Sequence, residues 1–156
     1  MNKKYKFSGE KKTIGNTTLQ RIEALKDFGN IKKGELGGWI EKESNLSQSG
    51  NAWVTGNAWV FGNAQISGNA IVGDTAKVCG NSKISGKAWV FDNAFVFQNA
   101  QISENARVYG NTWVFQNAQI SGKARIHGIA WVFGKAQVSG NARVGKCAWV
   151  FSGKRE

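Results

Sequence analysis

Proline is missing from all 156 residues, so no proline-rich linker divides the chain. Cysteine is scarce: Cys79 and Cys147 are too few for a disulfide scaffold and lack the spacing of a metal site, and both are expected as free thiols in a reducing compartment. No stretch approaches the roughly 18 apolar residues that a membrane span needs, so no membrane partner is expected. The basic start, with Lys3, Lys4 and Lys6, is not followed by the apolar core of a secretory signal, and a cytoplasmic location is the expectation. Acidic residues are few, 10 against 21 Lys and Arg, which leaves a formal charge of +11 and an isoelectric point near 9.9. That balance favours an anionic partner or surface without naming one. With 41% hydrophobic and 12% aromatic residues the chain reads as globular, and its length suits one domain.

Glycine is abundant, at 20 residues, and much of it follows a strict period of six that runs from Ala52 to Gly153 as seventeen uninterrupted hexads. The first slot is Ala in fifteen of them, with Ser82 and Thr112 the exceptions, and the third is Val or Ile in every one, from Val54 to Val150. Slots two apart share a face of a short strand, so these side chains point inward while the second and fourth point outward. The sixth slot is Asn in ten hexads, often preceded by Gly, and both residues tolerate the left-handed backbone of a sharp corner. Each hexad therefore predicts one short strand and one corner.

The outward slots repeat every eighteen residues, which predicts three hexads per coil and three faces of different chemistry. One face carries Trp59/Phe61, Phe95/Phe97, Trp113/Phe115, Trp131/Phe133 and Trp149/Phe151, interrupted once by Lys77/Cys79. The next is polar, from Gln65/Ser67 through Lys83/Ser85 to Gln137/Ser139. The third begins with Trp53/Thr55, Ile71/Gly73 and Trp89/Phe91 and becomes Arg107/Tyr109, Arg125/His127 and Arg143/Gly145, a short arginine ladder.

These hexads resemble the hexapeptide-repeat, left-handed β-helix superfamily, whose repeats turn Leu, Ile or Val inward with a small residue two positions earlier. The resemblance implies an all-β fold: a single-stranded left-handed parallel β-helix, a triangular solenoid with 18 residues per coil and a small N-terminal cap. The left hand comes from the resemblance alone, since the general preference is for right-handed crossovers. The runs of Gly-Asn-Ala-Trp-Val-Phe type, preceded by Leu19 to Gly29 and by Gly37-Gly38-Trp39-Ile40-Glu41, look like a largely uncharacterised group of bacterial, phage and prophage proteins. That group brings no activity with it.

Three segments are expected: a cap over residues 1–38, the β-helix over 39–153 and a charged tail over 154–156. Tyr5 and Phe7 with Leu19 to Leu25 read as a hairpin in the cap, a short helix capped at Thr17 being the alternative. Ile40, Ser44 and Leu46 already keep hexad spacing, and two extra residues before Ala52 shift the frame once. The last coil is expected to abut a second copy or to be shielded only by the tail. Cys79 and Cys147 are expected nearly four coils apart, far beyond disulfide reach.

The superfamily includes acyltransferases and trimeric carbonic anhydrases. A zinc site of the latter kind needs three His, and this chain has only His127. Acyltransferases of this kind commonly use one His as general base, and His127 occupies an outward slot beside Arg125, yet uninterrupted hexads leave no loops to form a coenzyme A pocket, and a solvated surface His is the expectation. Asp27, Asp74 and Asp92 offer no triad, the glycines follow the hexad rather than a phosphate loop, and Asp74, Asp92 and Glu104 do not make a calcium repeat. The expectation is no catalytic residue, no metal, no cofactor, and no enzyme.

Function is then expected on surfaces. The ten aromatics Trp59, Phe61, Phe95, Phe97, Trp113, Phe115, Trp131, Phe133, Trp149 and Phe151 exceed the few hundred Å² of apolar patch that a monomer leaves open, predicting a homodimer or homotrimer. Arg107, Arg125 and Arg143, with Tyr109 and His127 as stacking surface, are expected to hold an anion, in a host protein or a protein–nucleic-acid complex or in nucleic acid bound directly. By analogy with phage and prophage proteins, the chain is expected to act in the host cytoplasm as an accessory that binds a host macromolecule, such as a defence complex. A self-polymerising scaffold and an acyltransferase using His127 are the alternatives.

Overall fold

Residues 2–156 are described by a computed structural model, and apart from one 3₁₀ turn at Glu43–Asn45 all its regular structure is β. From β4 (Trp53–Val54), β5 (Trp59–Val60) and β6 (Gln65–Ile66) to β20 (Trp149–Val150), two-residue strands recur every six residues. Through β17 (Trp131–Val132), each pairs in parallel with the strand one coil on, Arg107 against Arg125 and Trp113 against Trp131, eighteen residues apart. The result is a solenoid with three flat sheets. Backbone N–H groups of one coil donate to carbonyls of the next, as Trp113 N to Ala130 O and Phe115 N to Val132 O, both at 3.0 Å. Apart from half-buried Ala148 in the last coil, the inward Ala and Val or Ile are shut off from water, and each buried Val or Ile stabilises the fold by about 1.5–3 kcal/mol. Where the small slot holds a hydroxyl, Ser82 donates to Cys79 O at 2.8 Å, whereas buried Thr112 Oγ1 finds no partner.

Corners require a left-handed residue in the fifth slot, and Gly62 (φ +67°) or Gly122 (φ +63°) supplies it without strain. Asp74, Asp92, Gln98, Glu104, Gln116 and Lys146 adopt the same conformation at φ 54–58°, which costs an L-residue about 1–2 kcal/mol. Five of these six return a hydrogen bond. Asp74 accepts from Asp92 N (3.1 Å), Asp92 from Gly110 N (3.0 Å), Gln98 from Gln116 N (2.9 Å), Gln116 from Gly134 N (2.8 Å) and Glu104 from Gly122 N. The scattered acidic residues of the repeat thus tie each corner to the next coil.

At the N-terminal end β1 (Tyr5–Ile14) and β2 (Thr17–Ala24) form an antiparallel hairpin. Its two-residue turn has Gly15 first at φ +60°, as a type II′ turn requires. β2 pairs antiparallel with β3 (Leu36–Ile40), and β3 pairs in parallel with β5, so the hairpin extends the aromatic sheet and β3 crosses position 38/39. Trp39 pairs with Trp59 and Leu46 with Ile66, twenty residues apart in place of eighteen, which absorbs the two extra residues. Buried Asn45 holds this junction: its Nδ2 donates to Gly62 O and Ala64 O, and its Oδ1 accepts from Glu41 and Lys42 N–H.

Two sequence expectations change here, and one residue gains a role. Trp53, placed in an outward slot, is completely buried, because Tyr5 and Phe28 pack edge-on against it at 6.3 and 5.3 Å between ring centroids. Residues 154–156, expected as a tail, include β21 (Lys154–Arg155), which pairs in parallel with β18 (Gln137–Val138) after a corner at Gly153. Lys4, part of the basic start, is buried. Its ammonium donates to Ala52 O at 2.8 Å, with Gly50 O and Ser49 O at 3.4 and 3.5 Å, and lies 5.1 Å from the Phe28 ring centroid. Cys79 and Cys147 are both free, and burial pushes the Cys79 thiol up to about 11. Among the described residues no helix is long and apolar enough to cross a membrane.

Burial, with the charge of Lys26, pulls the Lys4 ammonium down from 10.5 to about 8. Between those pH values the unfolded chain binds more protons than the folded one, so the Lys4 contribution rises with pH through that window. Tyr5 and Cys79, both pushed up by burial, act oppositely in alkali, so the Lys4 effect is isolated by difference. Denaturant unfolding of wild type and Lys4→Met from pH 7.5 to 10 is expected to show the wild type gaining relative to the variant as pH rises. Parallel curves would contradict a buried, proton-releasing Lys4.

Candidate functional site

Column chemistry follows from register, because residues eighteen apart lie one above another. On the aromatic sheet, Trp113 and Trp131 stack with centroids 4.8 Å apart and planes parallel to 0°, and Trp131 and Trp149 follow at 5.3 Å and 9°. Phe97, Phe115 and Phe133 form a second stack at 4.9 and 5.0 Å with planes within 4°. The two stacks meet edge to face, Phe115 against Trp131 at 79°. Rings stacked this closely cover one another's faces and turn edges outward, so the strip is a comb of ring edges and not a platform for sugars or bases. The end of the comb is most open, with Trp149 65% and Phe151 62% exposed. Trp59 and Phe61 are set apart from the rest. They line a small cleft with Ile14, Thr17 and Leu19 of the hairpin, and Lys77 and Lys12 ammonium groups lie 4.4 and 5.7 Å from the Trp59 ring centroid.

On the third sheet the second-slot column runs Trp53, Ile71, Trp89, Arg107, Arg125, Arg143 in continuous register. The three arginines are exposed. Among the described residues, ion pairs link Lys3 to Glu43, Lys6 to Glu23, Arg21 to Glu10 and Lys32 to Asp27, and no carboxylate comes within 4.0 Å of the three guanidiniums. Arg107 instead lies 4.9 Å from the Trp89 ring centroid, which steadies one end of the ladder by a cation–π contact. Alongside runs the fourth-slot column, where Phe91, Tyr109 and His127 stack at 5.1 Å (6°) and 5.6 Å (19°). The structure thus brings Arg107, Tyr109, Arg125, His127 and Arg143 onto one face. The His127 ring leans over Gly145, where any Cβ would fall 2.1 Å from its Cε1. Sequence reasoning named these residues but missed that glycine is what admits the ring. Among the described residues no group of three or more His, Cys, Asp or Glu stands close enough to hold a metal ion.

The repeat has known counterparts. Residues 64–74, 100–116 and 136–145 match a family model described as YdcK beta solenoid repeat. These matches support a hexapeptide-repeat β-solenoid of the left-handed β-helix kind. A similar protein, named an uncharacterized acetyltransferase, YdcK, of Escherichia coli (strain K12), is 42% identical over 50 residues, which make up 32% of this chain and 14% of that protein. The match therefore takes in about a seventh of the relative's length. It overturns the expectation that this hexapeptide-repeat chain is not an enzyme, because a protein sharing the repeat carries the name of one. The missing loops and triad that led to that expectation describe one chain alone, and an open prism face does not by itself exclude catalysis.

Since His127 is the sole histidine, its ring protons report the stack directly. Gly145→Ala is expected to push the imidazole off Tyr109, moving its Cε1 proton resonance toward the unstacked position with the solenoid still folded. An unchanged resonance would contradict this packing.

Proposed function

We propose that the arginine face binds an anionic, phosphate-bearing ligand and that this ligand is an acyl-coenzyme A thioester. One observation carries the reading: three guanidiniums in consecutive register, exposed and without a carboxylate partner, a clustering that an anion laid across them would stabilise. The name of the Escherichia coli relative supports the acyl group. His127, beside Arg125 on the same face, is the base in this reading. It takes the proton of an acceptor amine or hydroxyl as that group attacks the thioester carbonyl; the carbon–sulfur bond breaks and the thiol leaves. Calorimetric titration of acetyl-coenzyme A is expected to show saturable binding that Arg125→Glu weakens at least tenfold, about 1.4 kcal/mol, with His127→Gln retaining binding and losing transfer. Absence of binding by the wild type would remove the reading.

A second reading is supported by the ring-edge comb, whose exposed end favours a homodimer or homotrimer that covers Phe95 to Phe151. In the same reading the arginine face meets a host protein or nucleic acid in the cytoplasm, the phage-accessory role that the sequence resemblance suggests. Such a partner would compete with acyl-coenzyme A for Arg107, Arg125 and Arg143.

A further inference from the structure

The fourth-slot column of the arginine sheet reads Thr55, Gly73, Phe91, Tyr109, His127, Gly145, and its ring stack therefore stops at Phe91 with an empty rung above Gly73. Thr55 and Phe91, two coils apart, stand about 9.6 Å from each other at the sheet. Between them lies a groove of about 240 Å³ lined by Thr55, Ile71, Gly73, Asp74, Trp89 and Phe91. That is smaller than the roughly 300–1,000 Å³ pocket of a drug-sized ligand and suits a single planar ring system. Its walls are the outer face of Phe91, the Trp89 indole and the Ile71 side chain, and its polar side is the Asp74 carboxylate. Asp74 Oδ2 already accepts from Asp92 N at 3.1 Å, which fixes the carboxylate in place and leaves its other oxygen free of any described partner. Cations stand beside the same wall: Arg107 over Trp89 at 4.9 Å, and Lys87 in an adjoining groove that shares Ile71 and Trp89.

We infer that this vacant rung is a binding slot for a purine base, with guanine the base it fits. A purine entering above Gly73 continues the stack Phe91–Tyr109–His127 at the spacing of about 5 Å that those rings already keep. Guanine presents its N1–H and exocyclic amine on one edge, two donors that the free Asp74 oxygen and the remaining lone pair of Oδ2 can accept, whereas adenine offers that edge one donor and one acceptor. A 5′-phosphate is drawn by Arg107 and Lys87. The slot shares Arg107 with the acyl-coenzyme A reading and is otherwise separate from it, since it uses neither Arg125, Arg143 nor the His127 imidazole.

Gly73 makes the test clean. Its φ lies outside the left-handed region, and a Cβ there would meet only Thr55 Cγ2, at 3.0 Å. With the Thr55 methyl moved by a few tenths of an ångström, Gly73→Phe should fold and fill the rung with a side chain, closing the slot, and its thermal unfolding checks that it does fold. Titration of guanosine 5′-monophosphate, read by indole fluorescence and by NMR shifts of the Thr55 and Ile71 methyls, is expected to saturate for wild type and to be lost in Gly73→Phe. Asp74→Asn, which keeps a residue tolerant of the left-handed corner, should weaken guanosine monophosphate at least tenfold. Wild type should bind adenosine monophosphate at least tenfold more weakly than guanosine monophosphate. Arg125→Glu should leave guanosine monophosphate binding unchanged, which separates this slot from the acyl-donor reading. No saturation up to about 1 mM, binding that survives Gly73→Phe, or equal affinity for both nucleotides would overturn the inference.

Discussion

Everything in this molecule depends on the eighteen-residue register between successive coils. The backbone ladder holds each coil to the next, and the inward Ala and Val or Ile make the interior a column with no room for slippage. A shift by one residue would turn the apolar side chains out to solvent and every outward residue in. Register therefore does two jobs at once. It buries the core, and it lines up outward side chains from distant parts of the sequence into vertical columns.

The columns carry what chemistry the molecule has. Arginine above arginine concentrates charge that no neighbouring carboxylate cancels, because the acidic residues of the repeat are spent at the corners on backbone amides. Ring above ring does the opposite: it satisfies aromatic surface within the chain and leaves edges outside. An apolar strip that looks large in the sequence is thus partly its own partner. A glycine in such a column is an interruption, and the two on the arginine sheet differ in outcome. Gly145 is overlain by the His127 ring, whereas Gly73 is approached only by a methyl of Thr55 and borders a groove.

The hexad period made the coils, the three faces and the arginine ladder legible in the sequence, since each is a matter of spacing along one chain. The sequence was silent where an effect depends on the direction of a side chain or on a segment outside the repeat. Trp53 occupies an outward slot by spacing, yet Tyr5 and Phe28 cover it. Lys4 reads as one more surface cation and is instead buried against the carbonyls of the first coil. Asp74, Asp92 and Glu104 read as scattered charges, and only the left-handed backbone shows why they stand at corners. The tilt of the rings, which decides whether faces or edges meet solvent, has no sequence signature at all. The enzyme question was misread for a related reason: the absence of loops and triads within one chain does not exclude catalysis.

The most direct measurement removes one coil. Deleting residues 100–117 joins Asn99 to Ala118 in phase and brings Phe91 over His127 and Phe97 over Phe133, so the shortened protein is expected to unfold cooperatively with the far-ultraviolet spectrum of a solenoid. Deleting 100–116 breaks the phase by one residue and is expected to abolish that cooperative transition. Equal tolerance of the two deletions would contradict the claim that register governs both the core and the columns.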